Sequence, residues 1–192
     1  EWTQEQIHDR LRVEIARLQM AAGAVGVCCA KIGEAEALAA GGINAILITS
    51  PVVTPQAMER LVALHERIGD LRVVADNPEN VAALATVAKD AARPLPVVVD
   101  IDPGIRRTGV SSPEAAVALA RQIAATPSLR FVGVQFYCGA QQHIEKYAER
   151  RDAIAERTAY LSTVIQALDA AGLKPGIVTG GGTGTHFIDA AL

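Results

Sequence analysis

The chain has 192 residues, half of them hydrophobic, with a formal net charge of −3 and a pI near 5.8. That length suits one domain with one sizeable core. The absence of a basic patch and an aromatic content of only 4% argue against a nucleic-acid surface. No run approaches the ~18 apolar residues needed to span a bilayer, so no membrane partner is expected. The opening residues 1–6 lack the basic start and apolar stretch of a secretory leader. The three cysteines, Cys28, Cys29 and Cys138, are odd in number and two are adjacent, which favours neither a disulfide framework nor a zinc site. A reducing cytoplasm fits best.

Thr3 and Gln6 form a capping box that opens a predicted first helix. Ile7, Leu11, Ile15 and Leu18 then recur at helical spacing, and Gly23 ends the run. Residues 25–30 are a short apolar run that suits a strand buried on both faces. An Ala-rich helix over 34–40 stops at Gly41-Gly42. The alternation then repeats. Strands are predicted over 45–49, 71–75, 95–100, 131–136 and 177–179. The helices between them open at Thr54-Pro55, Asn77-Pro78 and Ser112-Pro113, each a cap residue followed by proline at the first helical position. They run to about 68, 91 and 125, and a fourth lies within 144–171 and stops at Gly172.

Six strands separated by helices, with no hairpin signal, demand a parallel sheet with right-handed crossovers. Polar and glycine residues gather after several strands, at 76–77, 100–109, 137–143 and 179–184. Barrels build sites from several strand ends, whereas an open sheet concentrates its ligand at one switch point. The fold class is therefore α/β, a parallel (β/α) TIM-type barrel. Six strands are fewer than the eight of a closed barrel, so its first and last strands are expected to be missing or degenerate. No linker, low-complexity segment or charge block divides the chain, which is taken as one domain over 1–192.

The strongest chemical signal is Thr179-Gly180-Gly181-Gly182-Thr183-Gly184. Three glycines after a buried strand leave backbone N–H groups bare, as anion-binding nests do, and Thr183 and Thr185 can add hydroxyls. A flexible turn is the plainer alternative. The spacing matches neither the dinucleotide fingerprint nor a P-loop. In the loop 100–109, Arg106 and Arg107 flank a Pro-Gly turn with Asp100 and Asp102. An arginine there can clamp a carboxylate or phosphate, or merely pair with a local Asp. Tyr137, at a strand end, can stack on a planar ligand. His143, near Gln141 and Gln142, is a candidate general acid or base, with a capping or packing residue as the plainer alternative. His8 and His65 are expected to be solvated on helices, and Lys31 to be a solvated lysine at a strand exit.

Several of these segments resemble the D-threonine aldolase and D-serine dehydratase group of pyridoxal-phosphate enzymes. They are Val13-Glu-Ile-Ala-Arg-Leu-Gln, Gly26-Val-Cys-Cys-Ala-Lys-Ile-Gly-Glu-Ala35, the loop 100–109, residues 133–139 with His143, and the glycine run, in that order. The resemblance implies a fold-type III, alanine-racemase-like barrel followed by a C-terminal β domain. It implies pyridoxal phosphate as cofactor, its phosphate held by Gly181, Gly182 and Thr183 within the run that begins at Thr179 and Gly180. Tyr137 would lie against the cofactor ring and Arg107 near cofactor and substrate. A small D-amino acid is the implied substrate, and pairing as a homodimer is an expectation. A divalent metal, Mn or Mg, belongs to the family's C-terminal domain, and no metal ligand is assigned in this chain.

Two departures accompany the resemblance. The family's Schiff-base lysine lies in a Pro-His-x-Lys-Thr-His type motif just before the stretch matching Val13-Glu-Ile-Ala, and here Leu11-Arg12 runs directly into Val13. Lys31 lies on a different strand and is not an evident substitute. The chain also stops at Leu192, without the β domain. The expected function is a pyridoxal-phosphate-dependent lyase of D-amino acids, with the competence of this chain in doubt. The alternatives are a non-catalytic pyridoxal-phosphate-binding module, an alanine-racemase-like enzyme, or an unrelated phosphate-handling barrel enzyme.

Overall fold

A computed structural model describes residues 4–191, and the side chains of residues 8–191. The predicted capping box at Thr3 lies outside the described residues. Six strands form one sheet: β1 (Val27–Cys29), β2 (Ala45–Ile48), β3 (Asp70–Ala75), β4 (Leu95–Asp100), β5 (Leu129–Phe136) and β6 (Ile177–Gly180). Every neighbouring pair is parallel, and the spatial order is the chain order. The helices are α1 (Gln4–Ala21), α2 (Ile32–Ala40), α3 (Pro55–Arg67), α4 (Pro78–Val87), α5 (Pro113–Ala124), α6 (Tyr147–Ala170) and the single turn α7 (His186–Asp189).

Three helix starts follow directly from the sequence. Thr54, Asn77 and Ser112 each accept a backbone N–H of the first turn, at 3.4, 2.7 and 3.2 Å, and proline occupies the next position. The middle strands β2 to β5 are buried from both sides, whereas β6, expected to be a buried strand, has no buried residue because it stands at the sheet edge. Ile46, Ile48, Leu71, Val73, Val97 and Val99 pack outward with the helices, while Leu47, Val74 and Val98 form a separate inner cluster joined by Val132.

One hydrogen bond shows that the sheet curls. Gln135, near the end of β5, donates from Nε2 to the carbonyl of Thr49, just after β2, at 3.0 Å. In a flat sheet those strands would lie about 14 Å apart, three strand spacings. Only a rolled sheet brings them together, so the six strands form an open, incomplete barrel.

Several expectations need correction. Strand β1 is shorter than predicted, and only Val27 of its three residues is buried. Leu11, Ile15 and Leu18 are exposed, and α1 turns Val13 and Ala16 inward instead. Helix α4 ends at Val87 because the chain turns back to α3: the Ala92 N–H donates to Glu66 at 3.0 Å, and Arg93 donates to the carbonyls of His65, Ile68 and, at 2.7 Å, Gly69. His65 is consequently buried, not solvated, with Nε2 3.2 Å from the Arg93 carbonyl oxygen. His8 is exposed, as expected.

Candidate functional site

A cavity of about 320 Å³ opens at the C-terminal ends of the strands. It is lined by Cys28 and Ala30 from the β1 end, Thr49 and Ser50 from β2, Gln135 and Tyr137 from β5, Thr179, Gly180 and Gly181 from β6, and Arg107 from the loop after β4. Five of the residues singled out by sequence therefore meet here: Arg107, Tyr137, Thr179, Gly180 and Gly181. Gly182 and Thr183 lie one step further on, in a larger cavity of about 710 Å³ that shares Thr179, Gly180 and Gly181 and faces α6. His143 lines neither cavity and is exposed, at the end of a single 3-10 turn (Gln141–His143).

The glycine bend is bare by necessity. A Cβ on Gly180 would lie 2.1 Å from the Phe136 carbonyl oxygen, and one on Gly182 2.3 Å from Gln142 Oε1. Gly181 has a φ of +75°, the left-handed region, and a Cβ there would meet Asp189 Oδ2 at 2.6 Å. Among the described residues, the N–H groups of Gly181, Gly182 and Thr183 have no hydrogen-bond acceptor. The next three are committed: Gly184 N–H donates to Gln142 Oε1 at 3.2 Å, and those of Thr185 and His186 to the Gly182 carbonyl at 3.0 and 2.9 Å. Three successive free amides are what an anion-binding concavity requires. Thr185 does not join them, because it is buried and its hydroxyl donates to Asp189 at 2.7 Å.

Opposite the bend stands Tyr137. Its ring packs over Gly139, where a Cβ would lie 2.7 Å from the ring. The Arg107 guanidinium lies 5.4 Å from the ring centroid, within cation–π range. The Arg107 loop is pinned at both ends. Asp102 Oδ1 accepts the N–H groups of Gly104 and Arg106 at 2.9 and 3.0 Å, so it serves the backbone and not a neighbouring arginine. The Gly109 N–H donates to Asp76, at the end of β3, at 2.9 Å.

Beneath the cavity, Gln135 donates to Asp100 Oδ1 at 2.9 Å as well as to Thr49. Asp100 is buried and its Oδ2 has no hydrogen-bond partner. Burial raises its pKa, opposed by the Gln135 amide, the Thr108 hydroxyl and the Arg107 charge. Sequence reasoning missed this bridge, although both residues stand at strand ends. Of the four lysines, Lys31, Lys89, Lys146 and Lys174, none lines the cavity. Lys31 is exposed at the start of α2. Among the described residues no cluster of His, Cys, Asp or Glu is placed to hold a metal, and no helix is long and apolar enough to cross a membrane. The cysteines are free: Cys28 exposed, Cys29 half-buried, Cys138 buried.

The family described as "Alanine racemase, N-terminal domain" matches residues 11–191. The chain belongs to that family. It is 39% identical over 178 residues to a 3-hydroxy-D-aspartate aldolase of Paracoccus denitrificans (strain Pd 1222), covering 92% of this chain and 46% of that protein. It is 35% identical over 178 residues to a D-threonine aldolase of Arthrobacter sp, covering 93% and 47%. The crystal structure of D-threonine aldolase from Filomicrobium marinum superposes with a TM-score of 0.90 at 36% identity, covering 93% of this chain and 48% of that one. The chain spans about half the length of the curated relatives it matches. These relatives bear out both the resemblance and the incomplete (β/α) barrel.

Proposed function

We propose that this alanine racemase N-terminal domain is the cofactor-binding barrel of a pyridoxal-phosphate-dependent lyase acting on small β-hydroxy D-amino acids. The observation that carries the reading is the bare glycine bend, which starts at Thr179, Gly180 and Gly181 in the cavity of Arg107 and Tyr137 and continues through Gly182 and Thr183 into the adjoining one. The relatives' activities, aldolases toward D-threonine and 3-hydroxy-D-aspartate, set the substrate class.

The residues fit the phosphate and ring of such a cofactor. The free amides of Gly181, Gly182 and Thr183 would hold a phosphate, with Thr179 and Gly180 carrying the bend out of β6. Tyr137 offers a planar face to an aromatic ring. Arg107, anchored by its pinned loop, would give the cavity a cation for a carboxylate or phosphate. The floor is formed by the buried side chains of Gln135 and Asp100, held together by a hydrogen bond. When bound, pyridoxal phosphate supplies an electron sink for negative charge at the substrate Cα. The described residues do not fit the divalent metal that the resemblance implies.

A second reading, a pyridoxal-phosphate-binding module without turnover, is favoured by the absence of any lysine among the residues lining the cavity. One experiment separates the two. The full-length protein with pyridoxal phosphate is given D-threonine or 3-hydroxy-D-aspartate. The lyase reading expects either glycine and an aldehyde, from Cα–Cβ cleavage, or an oxo acid and ammonia, from elimination. Tight cofactor binding with neither product set selects the module. No cofactor binding overturns both.

A further inference from the structure

We propose that Gln142 is a positioning residue that fastens the ring-binding side of the cavity to its anion-binding side. The inference rests on the reading of the glycine bend as a phosphate cradle and assigns the part that sets its shape.

Gln142 uses both ends of its side-chain amide. Nε2–H donates to the Tyr137 hydroxyl oxygen at 2.8 Å, and Oε1 accepts the Gly184 N–H at 3.2 Å. The two partners belong to different strand–loop units, Tyr137 after β5 and Gly184 after β6. No backbone ladder joins them at that height, since the β5–β6 pairing ends at Phe136 and Gly180. The side chain also lies directly over Gly182, where a Cβ would come within 2.5 Å of both its Oε1 and its Nε2. Its own backbone closes on Gly184, where a Cβ would sit 2.9 Å from the Gln142 carbonyl oxygen.

Two consequences follow. By taking the fourth amide of the run, Oε1 leaves those of Gly181, Gly182 and Thr183 as the free set, so Gln142 determines which three amides face an anion. By holding the Tyr137 hydroxyl, Nε2 fixes the ring, already confined by Gly139 and Arg107, at a set distance from those amides. Glutamine suits the task because it is neutral. A glutamate would accept from both the tyrosine hydroxyl and the Gly184 amide, yet would place a negative charge beside the anion.

The test uses the full-length protein and three ligands: pyridoxal phosphate, pyridoxal without its phosphate, and inorganic phosphate as competitor. Gln142→Ala is expected to weaken pyridoxal phosphate binding about tenfold, the scale of one or two hydrogen bonds, with little effect on pyridoxal. Gln142→Glu is expected to weaken it too, and the defect should shrink at high salt, as only a charge effect does. Tyr137→Phe and Gln142→Ala should be less than additive, because they share one hydrogen bond. Near-wild-type phosphate affinity in Gln142→Ala, a salt-independent Gln142→Glu, or full additivity overturns the proposal while leaving the lyase reading intact. A wild-type protein that binds neither phosphate ligand sinks both. Gln142→Glu and Tyr137→Phe keep the question decidable if the alanine variant does not fold.

Discussion

The middle of the sheet and its two edges follow different rules. In β4 all six residues are buried, whereas in β1 only Val27 is. Leu11, Ile15, Leu18 and Val25 are exposed beside β1, as are Val178 within β6 and Phe187 after it. Within the described residues, β2 to β5 each have a strand on both sides, while β1 and β6 each have one. An apolar stripe therefore reports that a face favours cover, not that it has found it. The candidate site spans this divide. Its floor, Asp100 and Gln135, belongs to the rigid middle. Its glycine bend leaves the edge strand β6, where Gln142 and Asp189 stand close against it in place of a neighbouring strand.

Substitutions can break or sharpen that contrast. The largest expected effect is Leu71→Ala in β3, a fully buried side chain. Its loss should cost about 2–5 kcal/mol in chemical denaturation, and a cost near that of an edge substitution would erase the distinction. Next is Gln135→Leu, which removes the link across the barrel and takes the Gln135 amide away from Asp100. About 1–3 kcal/mol is expected from the same measurement.

Two titrations of the buried interior follow. Asp100 has a raised pKa, so its ionised form disfavours the folded state. Its contribution is fully favourable below the reference value of 3.8 and is lost as pH rises through the raised folded value. Asp100→Asn should thus raise the melting temperature at neutral pH, with the gain vanishing near pH 3.8; a gain that persists in acid would contradict this. His65 behaves oppositely. Burial lowers its pKa, so its contribution is present above 6.5 and is lost as pH falls through the lowered folded value. Melting curves of His65→Gln should show a shallower loss between neutral and mildly acidic pH than the wild type. The smallest effect belongs to the edge: Leu18→Gln, at an exposed position, should stay within about 0.5 kcal/mol. A large loss there would mean that α1 is covered in solution.

Local signals were legible in proportion to how local their causes are. Strand β4 matched its prediction residue for residue, since six consecutive residues ending in an acid can hardly be read otherwise. The three cap-plus-proline helix starts also matched, because the cap bonds to the turn beside it. The end of α4 did not, because Arg93 and Glu66 settle it through contacts some 25 residues away. In the site, the glycine run and Tyr137 were recognisable from their places after strands. Of the neighbours Gln142 and His143, sequence reasoning singled out His143 and gave Gln142 no role. They are adjacent on one short turn, and only the approach of β6 makes Gln142 the one that faces inward.

The sequence by itself determined a parallel α/β barrel unit and the run of glycines after its last strand, because strand–helix alternation and missing side chains are properties of the chain. Only the tertiary structure decided that the sheet rolls far enough for Gln135 to reach Thr49, that His65 is buried, and that Gln142 bridges Tyr137 to the glycine bend. Each of those depends on which distant surfaces meet, and a short hydrogen bond or a buried ring exists only once they do.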